Sequence, residues 1–178
     1  QLWEDVVEKC GEAVSLAQQL ENGELEVLYR EKMEKAQQNA QTRDSKLESL
    51  KQLQQEVAES EQNQDWVSLK EKSGNALDVA RDLGEYDAVE EFEDKFLLSQ
   101  EKIRETEESL NHLKPQAIES ENQENWGDLI EKSRKILNLA SILNNEEVVE
   151  QYEEKLKHAE EQQKQLNEKF ERLKSRIS

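Results

Sequence analysis

The chain repeats itself with a period of about 60 residues, which is long enough for one small helical unit per repeat. Residues 66–73 align with residues 126–133, and the match continues without a gap to Lys95 and Lys155. A third copy begins at Trp3, which aligns with Trp66 of the second copy. Each of the three tryptophans in the chain therefore begins one copy. Such a repeat predicts a series of similar small units, each packed against its neighbours.

Each copy begins with a segment in which apolar and small residues recur at alternating intervals of three and four. This heptad spacing is typical of a short helix that packs along one stripe. The small residues let a neighbouring helix approach closely, and the tryptophan adds one bulky contact. We expect six of these residues to be structural anchors of the packed stripes: Trp3, Trp66, Trp126, Ala17, Ala80 and Ala140.

Local signals predict where these short helices begin and end. Asp65 and Asn125 precede two of the tryptophans and have side chains preferred at helix N-caps. Glycine and asparagine, which tolerate the left-handed backbone that ends many helices, occur at 22–23, 84 and 144–145. The sequence thus predicts short helices of about 18 residues between these points.

A longer heptad follows each of these breaks, starting at Tyr29, Phe92 and Tyr152. Each predicts a helix of roughly 36–40 residues, about 55–60 Å long, which one short helix cannot cover. A three-helix bundle solves this problem if the end of one long helix, the short helix and the start of the next long helix pack together. The sequence therefore predicts an all-α fold of tandem ~60-residue three-helix-bundle repeats that share long continuous helices and form an elongated rod.

The repeat boundaries follow from this arrangement. Repeat 1 covers residues 1–44 and lacks its entry helix, repeat 2 covers 45–104, repeat 3 covers 105–164, and 165–178 forms the entry helix of a truncated repeat 4. We therefore expect the chain to be a fragment of a longer array. The tryptophan-anchored bundles joined by shared helices resemble spectrin-like repeat proteins, with a shorter repeat. This resemblance implies a structural role, such as one in the cytoskeleton.

One set of charges recurs at the same phase in all three copies. It comprises Glu8, Glu71 and Glu131 on the short helices and Lys32, Lys95 and Lys155 on the long helices that follow. We interpret them as interhelical Glu–Lys pairs that fix the register between short and long helices. A repeated docking site for a partner protein is the alternative.

The composition argues against several classes of function. With 42 acidic and 24 basic residues the net charge is -18, which repels nucleic acid and anionic lipid. Five glycines are too few for glycine-rich phosphate loops. His112 and His158 lie in different repeats, and Cys10 occupies a packed position with no activating base indicated. We expect no enzyme activity, cofactor or metal.

No apolar run approaches the ~20 residues of a membrane span. A single cysteine and the lack of an N-glycosylation motif fit a reducing compartment, so we expect a cytoplasmic protein without membrane insertion. The expected partners are other proteins, including basic surfaces, and not nucleic acid.

The predicted function is that of a non-catalytic spacer or scaffold that mediates protein–protein interaction. Two alternatives stay open. Residues 84–88, followed by Phe92, resemble part of a tetratricopeptide repeat, which implies an adaptor that binds peptides. The long heptads could instead pair between chains, so both a monomeric rod and a coiled-coil homodimer fit the sequence.

Overall fold

The computed structural model describes residues 2–177, and over that span the chain is all-helical. The helices are α1 (Leu2–Gln19), α2 (Gly23–Gln62), α3 (Trp66–Leu83), α4 (Tyr86–Asn122), α5 (Trp126–Ile142) and α6 (Glu146–Ile177). Short helices of 17 or 18 residues alternate with long helices of 40, 37 and 32 residues. The predicted all-α class is confirmed, as is the predicted length of α2 and α4.

The five connections between these helices share one backbone geometry. Each contains a single residue with a left-handed backbone, at φ between 50° and 73°: Glu21, Gln64, Gly84, Glu124 and Asn144. The amide of that residue donates to the carbonyl three residues back, and the next amide donates to the carbonyl five residues back, at 2.9–3.1 Å. This is the Schellman pattern, which satisfies the last carbonyls of a helix. The predicted breaks at 84 and 144–145 are confirmed as such turns.

The next helix begins with a side-chain cap in four of these connections. Asp65 Oδ1 accepts a hydrogen bond from the amide of the third following residue at 3.1 Å, and Asn125 Oδ1 does so at 3.4 Å. Both predicted N-caps are therefore confirmed. Asn22 and Asn145 form the same contact at 3.2 Å, so these asparagines start the next helix as well as following the previous one.

The helices divide into two compact units. Unit 1 contains the described residues of 1–56 and 75–90, and unit 2 contains those of 57–74 and 91–178. The division passes within α2, α3 and α4. The predicted repeat boundaries at 44/45, 104/105 and 164/165 also lie inside helices, in α2, α4 and α6, and they stay predictions.

A hydrophobic core in unit 2 joins three successive helices. Its buried members come from α4, α5 and α6: Leu110, Ala117, Leu129, Ile136, Ala140, Val148, Tyr152 and Ala159. The members from α5 follow the heptad stripe predicted for the short helix.

The six predicted anchors fall into two groups. Ala17, Ala80 and Ala140 are buried, each at 3% exposure or less. The three tryptophans are only half-buried, and Trp126 packs against this core from its edge. The Trp126 ring also meets the ring of His158 edge-on, with 5.6 Å between centroids. Because each tryptophan lies in the first turn of its helix, the helix end leaves part of the indole uncovered.

Candidate functional site

Two lysine–glutamate pairs connect successive long helices in unit 2. Lys95 Nζ of α4 donates to both carboxylate oxygens of Glu61 in α2, at 2.6 and 2.7 Å. Lys155 of α6 contacts Glu121 of α4, the equivalent pair one repeat later. All four side chains are about one-quarter to one-third exposed. Each pair thus joins the start of one long helix to the end of the previous one.

These pairs differ from the ones predicted from the sequence. The repeat predicts contacts of Lys95 and Lys155 with Glu71 and Glu131 of the short helices, but both of these glutamates are exposed. Glu131 pairs with Lys135 in its own helix at 2.6 Å. The reason is rotation about the helix axis: position 71 lies two residues from Leu69, about 200° around the helix, and so points away from the packed face.

A second lysine contact connects the short helices α3 and α5 to the long helix that precedes each of them. Lys72 Nζ donates to Ser60 Oγ at 3.2 Å, and Lys132 Nζ donates to Ser120 Oγ at 3.0 Å. Both serines are buried. The second cluster also contains Asp128, whose Oδ2 accepts from Lys132 and from Ser120, each at 2.5 Å.

Sequence reasoning missed the two serines. They lie three residues after Val57 and Ala117, so they continue the heptad of the long helices by one further position. Extending that periodicity past the last apolar residue would have placed them on the packed face.

In the second cluster, the contacts of Asp128 stabilise its ionised carboxylate. The hydrogen bond from Lys132 lowers the pKa of Asp128, and the hydrogen bond from Ser120 lowers it further. The carboxylate is therefore ionised at neutral pH and holds its partners in place. Burial raises the pKa of the Tyr152 hydroxyl, and the charge of Glu121 adds to this effect. The contacts of Ser120 with Asp128 and Lys132 join α4 to α5.

Unit 1 places the equivalent residues in a more open setting. Lys32, the counterpart of Lys95 and Lys155, is exposed and its Nζ lies 5.3 Å from the centroid of the Tyr29 ring. Tyr29 is half-buried, whereas its counterparts Phe92 and Tyr152 are almost fully buried. Glu8, the first of the three predicted glutamates, is also exposed.

Two leucines at the end of α1 in unit 1 are exposed. Leu16 and Leu20 are 58% and 74% exposed. Their counterparts in the third copy, Leu139 and Leu143, pack against the core of unit 2. Gln18 Nε2 of α1 donates a hydrogen bond to Glu26 Oε1 of α2, at 2.9 Å, and so joins these two helices.

The residues considered for catalysis and metal binding lie apart. Cys10 is buried, His112 is exposed, and His158 packs on Trp126. Within residues 2–177 the structure places no group of three or more His, Cys, Asp or Glu side chains where they could hold a metal ion. A surface groove of about 420 Å³ in unit 2 is lined by apolar and polar residues together, including Ile103, Leu110 and Lys114.

None of the helices in the described part of the chain has the length and apolar character needed to cross a membrane. Comparison of the chain with protein-family models, with curated proteins and with solved structures found no match. What this protein does is therefore inferred from the helices and from the contacts that join them.

Proposed function

We propose that the chain is a non-catalytic, elongated helical-repeat protein that serves as a structural spacer or scaffold between other proteins. We propose that it consists of three-helix repeats, each built from the end of one long helix, a short helix and the start of the next long helix. The observation that carries this proposal is the recurrence of the same turns and interhelical contacts at equivalent positions of successive sequence repeats.

The contacts define which helices belong to one proposed repeat. The end of α2 bonds α3 through Ser60 and α4 through Glu61. The end of α4 bonds α5 through Ser120 and α6 through Glu121. The end of a long helix thus contacts both of the helices that follow it in the chain. Since α4 contributes its start to the first set and its end to the second, one continuous helix links the two sets.

This linkage explains why a spacer is the favoured role. A helix that runs from one repeat into the next has no flexible linker at the junction, so the positions of successive repeats are coupled. The net charge of -18 would keep such a protein soluble and would attract basic partner surfaces. The resemblance to spectrin-like repeats supports the same role.

Small-angle scattering combined with light-scattering mass, on dilute protein in moderate salt, tests the proposal. Three proposed repeats, each about 27–30 Å long, predict a monomer with a maximum dimension of about 80–100 Å. A uniform rod of that length has a radius of gyration of about 26 Å, whereas a compact domain of this size has about 16 Å. A compact particle would contradict the proposal. A dimer at high dilution, or a dimension well beyond ~120 Å, would show instead that the long helices pair between chains.

A further inference from the structure

The surface groove of unit 2 lies where α3, α4 and the connection between α5 and α6 meet. Its volume of about 420 Å³ is at the lower end of the range of ligand sites. Four apolar residues from these segments line it: Val67, Ile103, Leu110 and Leu143. Leu110 is buried and the other three are half-buried, so the groove has an apolar floor that a ligand can reach.

The equivalent groove of unit 1, one repeat earlier, is lined by residues that form ion pairs. Lys46 Nζ of α2 pairs with Asp82 Oδ2 of α3 at 2.8 Å, and both residues line that groove. Arg43, which also lines it, pairs with Glu85 at 3.8 Å. The two pairs link the middle of α2 to the end of α3 and to the residue that follows it, so these charges are used within the chain.

The same two links are missing from unit 2. The counterparts of the two basic residues are Thr106 and Ser109, whose hydroxyls donate to carbonyls of their own helix at 2.7 and 2.9 Å. The counterparts of the two acidic residues are Ile142 and Asn145, which carry no charge. The groove of unit 2 therefore takes its charges from other residues.

The charged residues that line the groove of unit 2 are Lys70, Lys114 and Glu107. Both lysines are half-buried, whereas Glu107 is exposed. Within residues 2–177 the structure shows no ion pair for either lysine, although acidic residues outnumber basic ones by 42 to 24. The groove thus presents two positive charges beside an apolar floor, and a ligand that carries both a carboxylate and an apolar group matches these features.

The single proline of the chain adds a hydrogen-bond acceptor to this groove. Pro115 lies inside α4 and has no N–H, so it cannot donate to the carbonyl of Asn111, four residues earlier. Asn111 lines the groove and is exposed. A backbone N–H of a ligand can bond this carbonyl, which favours a peptide over a simple carboxylic acid.

We propose that this groove binds a peptide segment of a partner protein in which a bulky apolar side chain lies close to acidic residues. The apolar side chain packs against Ile103 and Leu143, and the carboxylates pair with Lys70 and Lys114. The inference names a partner for the proposed scaffold, and so it rests on the proposed function. Charges more than about 8 Å away are largely screened at physiological ionic strength, so the lining residues determine what this groove accepts despite the acidic surface elsewhere.

Selection of peptides on the immobilised chain tests this proposal. The probe is a library of random 12-residue peptides displayed in many copies on phage, because avidity makes weak binding to a small groove detectable. We expect the enriched peptides to combine an aromatic or large aliphatic residue with Asp or Glu within four positions. Synthetic copies of these peptides should bind the chain in solution, measured by fluorescence polarisation, and their affinity should decrease in high salt.

Variants of the chain show whether the peptides bind in the groove. Lys70→Gln combined with Lys114→Gln should weaken binding about fivefold, because each accessible charge pair contributes little. Ile103→Gln should weaken it about tenfold, and the equivalent residue 163 of the next copy is a glutamine, so the helix should tolerate the change. Lys51→Gln is the matched control, since Lys51 is the counterpart of Lys114 one repeat earlier and lines neither groove. It should bind like the unmodified chain.

Four results would overturn the inference. The selection could enrich no peptide, or it could enrich basic peptides. The enriched peptides could bind the groove variants as tightly as they bind the Lys51→Gln control. Association of the chain with itself that Ile103→Gln abolishes would assign the groove to a second copy instead.

Two further measurements separate this test from effects on folding and from the proposed function. If circular dichroism shows that a variant has lost helix content, amide NMR shifts of the unmodified chain decide, because binding in the groove concentrates the changes near Val67, Ile103 and Leu143. Peptide affinity does not depend on the dimensions of the particle. A compact particle in the scattering measurement would therefore contradict the proposed spacer without removing peptide binding, and a lack of peptide binding would leave the scattering result unchanged.

Discussion

The contact between Lys95 and Glu61 can be tested against the contact that sequence periodicity favours, between Lys95 and Glu71. The perturbation is a pair of double-mutant cycles in which Lys95→Met is combined with Glu61→Gln in one and with Glu71→Gln in the other. The sequence repeat predicts Glu71 as the partner of this lysine, but in the structure Lys95 bonds Glu61, at 2.6 and 2.7 Å.

The magnitude follows from geometry and exposure. The lysine and Glu61 side chains are 29% and 36% exposed, so solvent screens the pair and we expect a coupling free energy of about 0.5–1 kcal/mol. The cycle with Glu71, which lies on the outer face of α3, should give a coupling within about 0.3 kcal/mol of zero. The coupling to Glu61 should also decrease in high salt, because both side chains are accessible to ions.

Urea unfolding followed by circular dichroism measures both couplings. With a urea dependence of about 2 kcal/mol per molar, a change of 1 kcal/mol moves the midpoint by roughly 0.5 M, which is readily measured. If the coupling to Glu71 exceeds the coupling to Glu61, the assignment of the interhelical pair is wrong, and short and long helices are in the register that the sequence suggested.

Two further predictions concern the turn at Gly84 and the cluster of Asp128, Lys132 and Ser120. Gly84→Ala should lower the free energy of unfolding by about 1–2 kcal/mol, because Gly84 has φ of 73°, a backbone conformation in which an added Cβ is strained. Gly23→Ala is the control, since Gly23 has equally open surroundings but no positive φ. A similar loss of stability in both variants would contradict the argument. Asp128→Asn should lower the urea midpoint at neutral pH. Because the folded chain holds the pKa of Asp128 below its ordinary 3.8, the stability it contributes is present above pH 3.8 and is lost as pH falls through the lower folded value. The midpoints of variant and unmodified chain should thus converge as the pH falls through this lower folded value, and a difference that is constant with pH would contradict this cause.

Local signals in the sequence predicted the helices well. Asp65 and Asn125 were identified as caps from residue type and position alone, because a cap is set by a few neighbouring atoms. The alternation of short and long helices followed from heptads and their breaks. The left-handed residues Gln64 and Glu124 could not be identified, because neither residue type favours that backbone and the turn is imposed by the helices on both sides.

The contacts between helices were harder to predict. The sequence predicted Glu71 as the partner of Lys95, whereas the structure pairs Lys95 with Glu61 at the end of α2. Sequence periodicity identifies the packed face but not how far a long side chain reaches across it. The half-burial of the tryptophans has a similar origin, since a heptad gives the direction of a side chain and not its distance from the end of the bundle.

The five identical turns limit how the length of such a chain can change. Two or three residues separate successive helices, and in each connection the left-handed residue is followed by one residue that precedes the start of the next helix. An insertion of a few residues in a turn would displace the cap, and an insertion in a long helix would rotate the lysines and serines away from their partners. Duplication or loss of one whole sequence repeat leaves the spacing between turns, caps and contact residues unchanged in the repeats that remain. The length of this chain can therefore vary in steps of one repeat, while the spacing within each repeat stays fixed.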